Sequence, residues 1–300
     1  FRFPHSLPFA RYPQYFLTIL RLSNTFKRGI AIDFECTCVE VIYDYPHEII
    51  EFPAVLIDVR QMRIVDTFRT FFILFLSNPS HLGISQSTVD SAPVFKDAYR
   101  LFRDWMAQHH LGDTGYRYAF VTDGPHDLWK FFQFQCITSN FGTIPHDCRH
   151  FINIKRIFEQ RVMRLVKGNG QSGIQNMLSH YNLTFEGQKH CGLDDSINIA
   201  RLCIKLMQDK IELRINQRMT RRQDRNEVEE LAKSDRADAS DYHIWHRKLP
   251  LKLRQVTRDE FLSEEYLDCD SCDEVLRHSP WRVKRAASSA ATLSFRLAQS

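Results

Sequence analysis

The chain has 300 residues, of which 43% are hydrophobic and 25% are charged, with a formal net charge of +4. This composition supports a large buried core and excludes a polycation, so any nucleic-acid surface must be local. The eight cysteines form no compact disulfide framework, which favours a reducing compartment. The apolar run 71–76 is far too short to span a membrane, and we expect no membrane partner.

The first 28 residues contain basic side chains but no acidic one. For residues 1–28 we expect a disordered or truncated leader, and an organelle transit segment is the alternative interpretation.

A strand is predicted over residues 29–36, where an apolar run leads into Asp33 and Glu35. Residues two apart on a strand point to the same face, so the two carboxylates should project together. Paired carboxylates at the end of a core strand are unfavourable unless cations compensate their charge. A solvated acidic pair is the alternative, but the apolar context favours a metal site.

The remaining elements alternate between strands and helices, which predicts an α/β fold. Further strands are expected near 51–59, 63–72 and 116–122. Helices are expected near 93–109, 127–135, 153–166, 171–181 and 195–209. In the first of these helices, apolar residues recur at steps of three and four, as in core packing: Val94, Ala98, Leu101, Phe102 and Trp105.

Two acids follow the strand predicted over 116–122. Asp127 begins a predicted helix, where an aspartate is also a favourable N-cap residue. Asp123 lies four residues earlier and competes with Asp127 as a metal ligand. Either residue supplies a third acidic element between the first strand and the last helix.

A histidine and an aspartate complete the pattern near the last predicted helix. His190 lies five residues before Asp195. Taken singly, His190 could be an ordinary structural histidine, and Asp195 could cap the helix that follows it. Their occurrence together with Asp33 and Glu35 instead predicts a two-metal phosphodiesterase, in which His190 takes a proton from the attacking water.

The composition changes after residue 216. Residues 217–240 carry a basic run followed by an acidic run, which is typical of a charged linker or helix. Residues 286–300 are rich in Ala and Ser, and we expect a disordered tail there.

Between these segments, residues 241–285 form a small C-terminal region with two pairs of metal-ligand residues. The pairs are His243 with His246 and Cys269 with Cys272. Two residues separate the members of each pair, a spacing that can bind a structural Zn²⁺ ion. An exposed His pair and an unbound Cys pair are an equally favoured alternative.

Five separated stretches give the chain a family resemblance over roughly residues 29–218. They are Ile32–Thr37, Glu48–Leu56, Gly83–Gln86, Thr122–Gly124 leading into Asp127, and His190–Arg201 extended through Glu212–Asn216. In this order they resemble the DEDDh 3′-5′ exonucleases, and in particular the enhanced-RNAi and histone mRNA 3′-exonuclease branch.

The resemblance implies an RNase H-like mixed sheet flanked by helices over residues 29–216. It also implies two Mg²⁺ or Mn²⁺ ions and a set of site residues. Metal ligands would be Asp33, Glu35, Asp127 and Asp195, with His190 as the general base. Substrate contacts would come from Phe34, Thr37, His126 and Trp129. The family usually has Trp before the third acid, where this chain has His126, and histidine can also stack on a base.

The expected function is therefore release of nucleoside 5′-monophosphates from single-stranded 3′ ends, with RNA favoured over DNA. The resemblance further implies work in an RNA-processing or silencing complex. We expect a cytoplasmic or nuclear location, with mitochondria as the alternative. Two other functions stay open. One is DNA degradation, as in the cell-death-related nucleases, which are similar in carrying a zinc-bearing C-terminal region. The other is a non-catalytic nucleic-acid-binding scaffold.

Overall fold

Eight strands form one mixed sheet with helices on both faces, as the α/β pattern predicts. The computed structural model describes residues 26–37, 47–72, 86–113, 116–162, 173–221 and 249–262. The strands are β1 (Arg28–Ala31), β2 (Glu35–Cys36), β3 (Ile49–Asp58), β4 (Arg63–Phe71), β5 (Tyr118–Thr122), β6 (His150–Asn153), β7 (Gln217–Arg221) and β8 (Leu251–Gln255). The expected leader lies outside the described residues, apart from its last three positions.

Seven α-helices occur in the described part of the chain. They are α1 (Gln86–Asp90), α2 (Phe95–Gln108), α3 (Gln133–Thr138), α4 (Ile154–Arg161), α5 (Ile174–His180), α6 (Gly192–Gln208) and α7 (Arg258–Leu262). A π-helical segment, Asp127–Phe132, leads directly into α3, and a 3₁₀ turn, His146–Arg149, precedes β6. None of the described helices has the length and apolar character needed to cross a membrane.

The strand order places three parallel strands at the centre of the sheet. The order is β2-β3-β1-β5-β6-β7-β8, and β4 pairs with β3 outside this path. Strands β1, β5 and β6 run parallel, whereas their outer neighbours β3 and β7 run antiparallel to them. The carboxyl ends of β1, β5 and β6 therefore meet at one edge of the sheet, where polar loop residues can converge.

Two apolar layers cover the two faces of the sheet. One face packs against α2 through an aromatic-rich cluster that includes Phe52, Phe102 and Phe132. The other face packs against α4, α5 and α6. Helix α2 turns Phe95, Ala98, Tyr99, Phe102, Trp105 and Met106 inward. Val94 and Leu101, expected in the core, are instead 42% and 47% exposed, because the buried stripe is centred one position away from them.

The strand expected over 29–36 is interrupted in the middle. Strand β1 pairs with β3 as far as Ala31, and pairing resumes at Glu35 opposite Glu51. Between these points β3 presents Pro53, which has no N–H to donate to a ladder. Asp33 therefore lies in an irregular step between two strands, rather than within one continuous strand.

Two strands near the C-terminal end also differ from expectation. Residues 217–221 form β7 instead of the start of a charged linker or helix, and 251–255 form β8. Strand β7 pairs with β6, and β8 pairs with β7, so both extend the central sheet. Met219 of β7 and Leu251 of β8 are buried in the aromatic-rich cluster, and Leu253 of β8 packs against it, so these side chains attach the two strands to the core. The structure thus continues the sheet beyond residue 216, and the other expected domain limits remain predictions.

Candidate active site

Three aspartates converge at the carboxyl edge of the parallel strands. Asp33 follows β1, Asp123 follows β5, and Asp127 opens the π-helical segment. Oxygen atoms from the three carboxylates lie within 4.8 Å of one another. The two aspartates that competed as the third acid, Asp123 and Asp127, are both next to Asp33. The parallel pairing of β1 with β5 causes this convergence, since it brings both strand ends to the same place.

Asp33 lies at the electrostatic centre of the site. Its pKa is raised well above the usual range, first by burial and then by the charges of Asp127, Asp123, Asp195 and Glu35. Of the four acids expected as metal ligands, Asp33 and Asp127 thus lie in the 4.8 Å group with Asp123, and Glu35 and Asp195 are close enough for their charges to act on Asp33. Buried carboxylates that destabilise each other's charged form indicate a site for compensating cations.

Asp127 is fixed in place by the backbone of the neighbouring segment. The N–H of Phe34 donates to Asp127 Oδ1 at 2.9 Å. Burial, and then the charge of Asp123, raise the pKa of Asp127 to about 7, while hydrogen bonds that its carboxylate accepts from the Phe34 N–H and from the Asp33 carboxyl oppose the rise. π-Helical turns often occur at functional sites, and this one starts at Asp127.

Glu35 and Asp195 lie close to each other and to the aspartate cluster. Burial raises the pKa of Glu35 to about 7, with further contributions from the charges of Asp195 and Glu51. Burial also raises the pKa of Asp195 to about 6, and the backbone N–H and the side-chain charge of His190 oppose this rise. His190 therefore lies close enough to Asp195 for its charge to lower the pKa of that carboxylate.

His190 lies on a tight, exposed loop in front of α6. Its backbone φ of +61° is in the left-handed region, which is uncommon for a residue with a side chain. Asp194 shapes this loop by accepting from the N–H of Gln188 at 2.7 Å. A Cβ on Gly187 would lie only 2.3 Å from the Asp194 carboxyl carbon, so the Asp194 side chain fills the inside of the loop. Asp195, and not Asp194, is therefore the acid of this pair that is directed to the site.

The donor set fits a hard divalent cation. Every acid at the site offers carboxylate oxygen, the ligand type that Mg²⁺ and Mn²⁺ prefer. The thiol of Cys36 is buried, and its pKa is raised by burial and by the nearby carboxylates, so it does not compete as a thiolate ligand.

The four expected substrate contacts have different environments. Phe34 is buried against Phe52 and Phe132, so its ring packs in the core and only its backbone reaches the site. Thr37 is also buried, and its hydroxyl accepts from the N–H of Glu48. A direct substrate contact by these two side chains therefore does not fit their burial.

The other two, His126 and Trp129, lie beside Asp127. His126 is exposed, and its ring centroid is 6.4 Å from that of Trp129. Trp129 is partly exposed and donates its indole N–H to the Leu251 carbonyl oxygen at 3.3 Å. His126 is thus the aromatic side chain best exposed for stacking on a base. The expected zinc residues lie outside the described part of the chain.

One buried carboxylate near the site was given no role by the sequence analysis. Glu51 is 1% exposed and lies within strand β3, whose other residues before Asp58 are apolar. A charged residue in a strand that is buried along its whole length must have partners, and this was the signal that could have identified it.

The fold and the acidic cluster together define an exonuclease domain. The model of the Exonuclease (RNase_T) family matches residues 30–203, and the chain belongs to this family. The chain is 38% identical over 197 residues to human 3′-5′ exoribonuclease 1, an alignment that covers 63% of this chain and 54% of the human protein. The chain thus spans about half the length of that relative.

Two further similarities cover more of the chain. The 3′-5′ exonuclease crn-4 of Caenorhabditis elegans is 29% identical over 262 residues, covering 82% of this chain and 86% of the relative. A solved structure described as 3′-end specific recognition of histone mRNA stem-loop by 3′-exonuclease has 30% identity and a TM-score of 0.63. It covers 78% of this chain and 92% of that one. The RNase H-like fold expected from the sequence is confirmed by these similarities.

Proposed function

We propose that this chain is a metal-dependent 3′-5′ exoribonuclease that releases nucleoside 5′-monophosphates from single-stranded 3′ ends. The observation that carries the proposal is the cluster of Asp33, Asp123 and Asp127 at the edge of the sheet, whose carboxylate oxygens lie within 4.8 Å of one another. The charges of Asp195 and Glu35 are close enough to raise the pKa of Asp33 as well. Carboxylates in this state favour the binding of divalent cations, and phosphodiester hydrolysis is a reaction that paired divalent cations support.

Each side chain at the site has a part in this chemistry. Asp33, Glu35, Asp127 and Asp195 would hold two Mg²⁺ or Mn²⁺ ions, which when bound supply positive charge for the phosphate and acidify water. His190, on its exposed loop, accepts the proton of the attacking water. Neutral imidazole suits this step because the ordinary pKa of histidine is close to physiological pH. Asp123 remains the alternative to Asp127 as the third acidic ligand.

RNA is the favoured substrate class. The human relative is named an exoribonuclease, and the solved relative is described with a histone mRNA stem-loop. The exposed ring of His126 beside Asp127 offers a stacking surface for a terminal base. We extend the proposal to a single-stranded RNA 3′ end as the direct partner, and to action within an RNA-processing or silencing complex. The proposed location is the cytoplasm or the nucleus, with mitochondria as the alternative.

DNA degradation is the second candidate. The similarity to crn-4 covers 82% of the chain, compared with 63% for the human exoribonuclease. The part of the chain beyond the exonuclease core thus has a counterpart in crn-4.

Matched RNA and DNA single strands separate these functions. The purified chain should shorten a 5′-labelled RNA strand stepwise in Mg²⁺ or Mn²⁺, release 5′-mononucleotides, and do nothing in EDTA. Asp127→Asn serves as the inactive control, since it keeps the shape but removes the charge. A faster rate on the DNA strand of the same sequence would support the second candidate. Strand binding without cleavage would support a scaffold role.

We also propose a structural Zn²⁺ ion in the C-terminal region. Its ligands would be His243, His246, Cys269 and Cys272, a set with the spacing of small zinc sites. Metal analysis of purified protein should find about one zinc per chain, and His246→Ala together with Cys269→Ala should remove it. Absence of zinc from the native protein would refute this proposal and leave the nuclease site unaffected.

A further inference from the structure

Glu51 joins strand β3 to the first turn of helix α6. One carboxylate oxygen accepts from the N–H of Leu193 at 3.0 Å, and the other accepts from the N–H of Gly192 at 3.2 Å. The first N–H groups of a helix have no partner within the helix, and a negative charge is favoured there. Glu51 therefore accepts hydrogen bonds from two backbone N–H groups in the first turn of the helix that carries Asp195.

Arg69, on the neighbouring strand β4, completes the arrangement. Its Nε lies 2.9 Å from a Glu51 oxygen, and its Nη2 lies 3.5 Å from the Sγ of Cys191. The guanidinium also lies over the ring of Phe71, 4.9 Å from its centroid. Arg69 thus contacts both Glu51 and the residue that follows His190 in the chain.

The helix start held in this way rests directly on the acidic strand. A Cβ built on Gly192 would lie 2.7 Å from the Asp33 carbonyl oxygen and 3.3 Å from Glu35 Cγ. The corner from His190 to Asp195 therefore has no space to approach the acids more closely. The two bonds to Glu51 oppose its movement away from them.

We infer that Glu51 and Arg69 are positioning residues that hold the corner carrying His190 and Asp195 against the strand carrying Asp33 and Glu35. This inference rests on the proposed nuclease function and deepens it. A displacement of about 1 Å in a catalytic arrangement can lower a rate by about 10²-fold. The pair contributes by fixing the distance between Asp195 and the acids Asp33 and Glu35, which are far from it in the sequence.

Three variants test the role. Glu51→Gln keeps the size but places an amide N–H₂ against groups that are themselves donors. Arg69→Met removes the guanidinium at a half-exposed position and leaves the two backbone bonds of Glu51. Arg63→Met is the matched control, because Arg63 is exposed on the same strand and its side chain bonds to Gln61.

Single-turnover and steady-state rates on single-stranded RNA, at a temperature far below the unfolding transition, give the first measurement. We expect Glu51→Gln to lower kcat by about 10- to 10²-fold, and Arg69→Met by about 10-fold, with KM for RNA changing less than about threefold. The double variant should lose little more than Glu51→Gln alone, because both residues act on one corner. Arg63→Met should match the wild type.

Mn²⁺ binding by calorimetry is the second measurement, and it does not depend on cleavage. Glu51→Gln should weaken Mn²⁺ binding by about 10-fold, although every proposed ligand is intact. If the wild type binds Mn²⁺ but cleaves no strand, the proposed function fails, while weaker binding by the variant still supports the positioning role. Wild-type kcat and Mn²⁺ affinity in Glu51→Gln would overturn the inference, even if its melting temperature fell. Should Glu51→Gln not fold, unchanged values in Arg69→Met would overturn it instead.

Discussion

Gly192 offers a direct test of how closely helix α6 must approach the acidic strand. Replacing Gly192 by Ala adds a Cβ that would lie 2.7 Å from the carbonyl oxygen of Asp33, 3.1 Å from Pro53 Cγ and 3.3 Å from Glu35 Cγ. The closest of these atoms belongs to the backbone and cannot rotate away. The helix start or the strand must therefore move.

The size of the effect follows from these distances. Restoring an ordinary contact, at 3.4 Å or more, requires a displacement of about 0.7 Å between Gly192 and Asp33. Overpacking of this kind costs about 1–3 kcal/mol in the free energy of unfolding. The same displacement separates Asp195 from Asp33 and Glu35, so we expect the rate of RNA cleavage to fall by about 10- to 10²-fold.

The assay compares Gly192→Ala with Gly173→Ala. A Cβ on Gly173, the residue before helix α5, meets no atom of the described residues within 4 Å, so this control adds the same atom without a clash with them. Urea unfolding gives the stability of each variant, and shortening of a 5′-labelled RNA strand gives the rate. Wild-type rate and stability in Gly192→Ala, or equal losses in Gly173→Ala, would refute the close-approach argument.

Three further predictions concern the acids, the base and pH. Asp33→Ala and Asp195→Ala should each abolish cleavage, because a cation loses a ligand, while binding of single-stranded RNA in a gel-shift assay should survive better. His190→Ala should lower turnover by about 10²–10⁴-fold with metal still bound, and higher pH should recover part of the loss because hydroxide replaces the base. In EDTA, the melting temperature should fall as the pH rises from 5 to 8, since the pKa of Asp127 is raised from 3.8 to about 7. A raised carboxyl pKa gives stability that is complete below the unfolded value and is lost as pH rises through the folded one. Mn²⁺ should restore the stability at pH 8, and Asp127→Asn should make the metal-free pH dependence flatter.

Each of these has a result that contradicts it. Full activity in Asp33→Ala or Asp195→Ala would remove the two-metal assignment. Loss of metal from His190→Ala would make that histidine a ligand rather than a base. The third prediction is contradicted if the melting temperature in EDTA rises from pH 5 to pH 8 equally in the wild type and in Asp127→Asn. The raised pKa of Asp127 would then make no contribution to the stability of the fold.

The sequence predicted the elements whose hydrophobic period is strong. Helices α2 and α6 differ from their expected limits by three residues or fewer, and the acids expected at strand ends do converge. Their convergence could be anticipated because parallel strands end at one edge of a sheet. The catalytic roles of these residues remain predictions.

Other features depended on partners that are distant in the chain. The break between β1 and β2 is set by Pro53 on the neighbouring strand, which the local pattern at Asp33 does not contain. Strand β7 is polar apart from Met219, so its pairing with β6 is not evident from alternation. The inward orientation of the Phe34 ring follows from the aromatic cluster that receives it. Tertiary contacts decided each of these cases, as expected where local preference is weak.

The attachment of β8 to the π-helical segment and to α3 shows that the folded unit extends beyond the residues matched by the family model. Trp129 and Gln133 donate to the Leu251 carbonyl oxygen, and the Leu251 N–H donates to Gln133 Oε1 at 2.9 Å. The family match ends at residue 203, before β7 and β8 begin. A fragment cut at that limit would expose the edge of β6 and remove the support beneath the segment that starts with Asp127. The residues matched by the exonuclease family model are therefore fewer than the residues that the folded sheet requires.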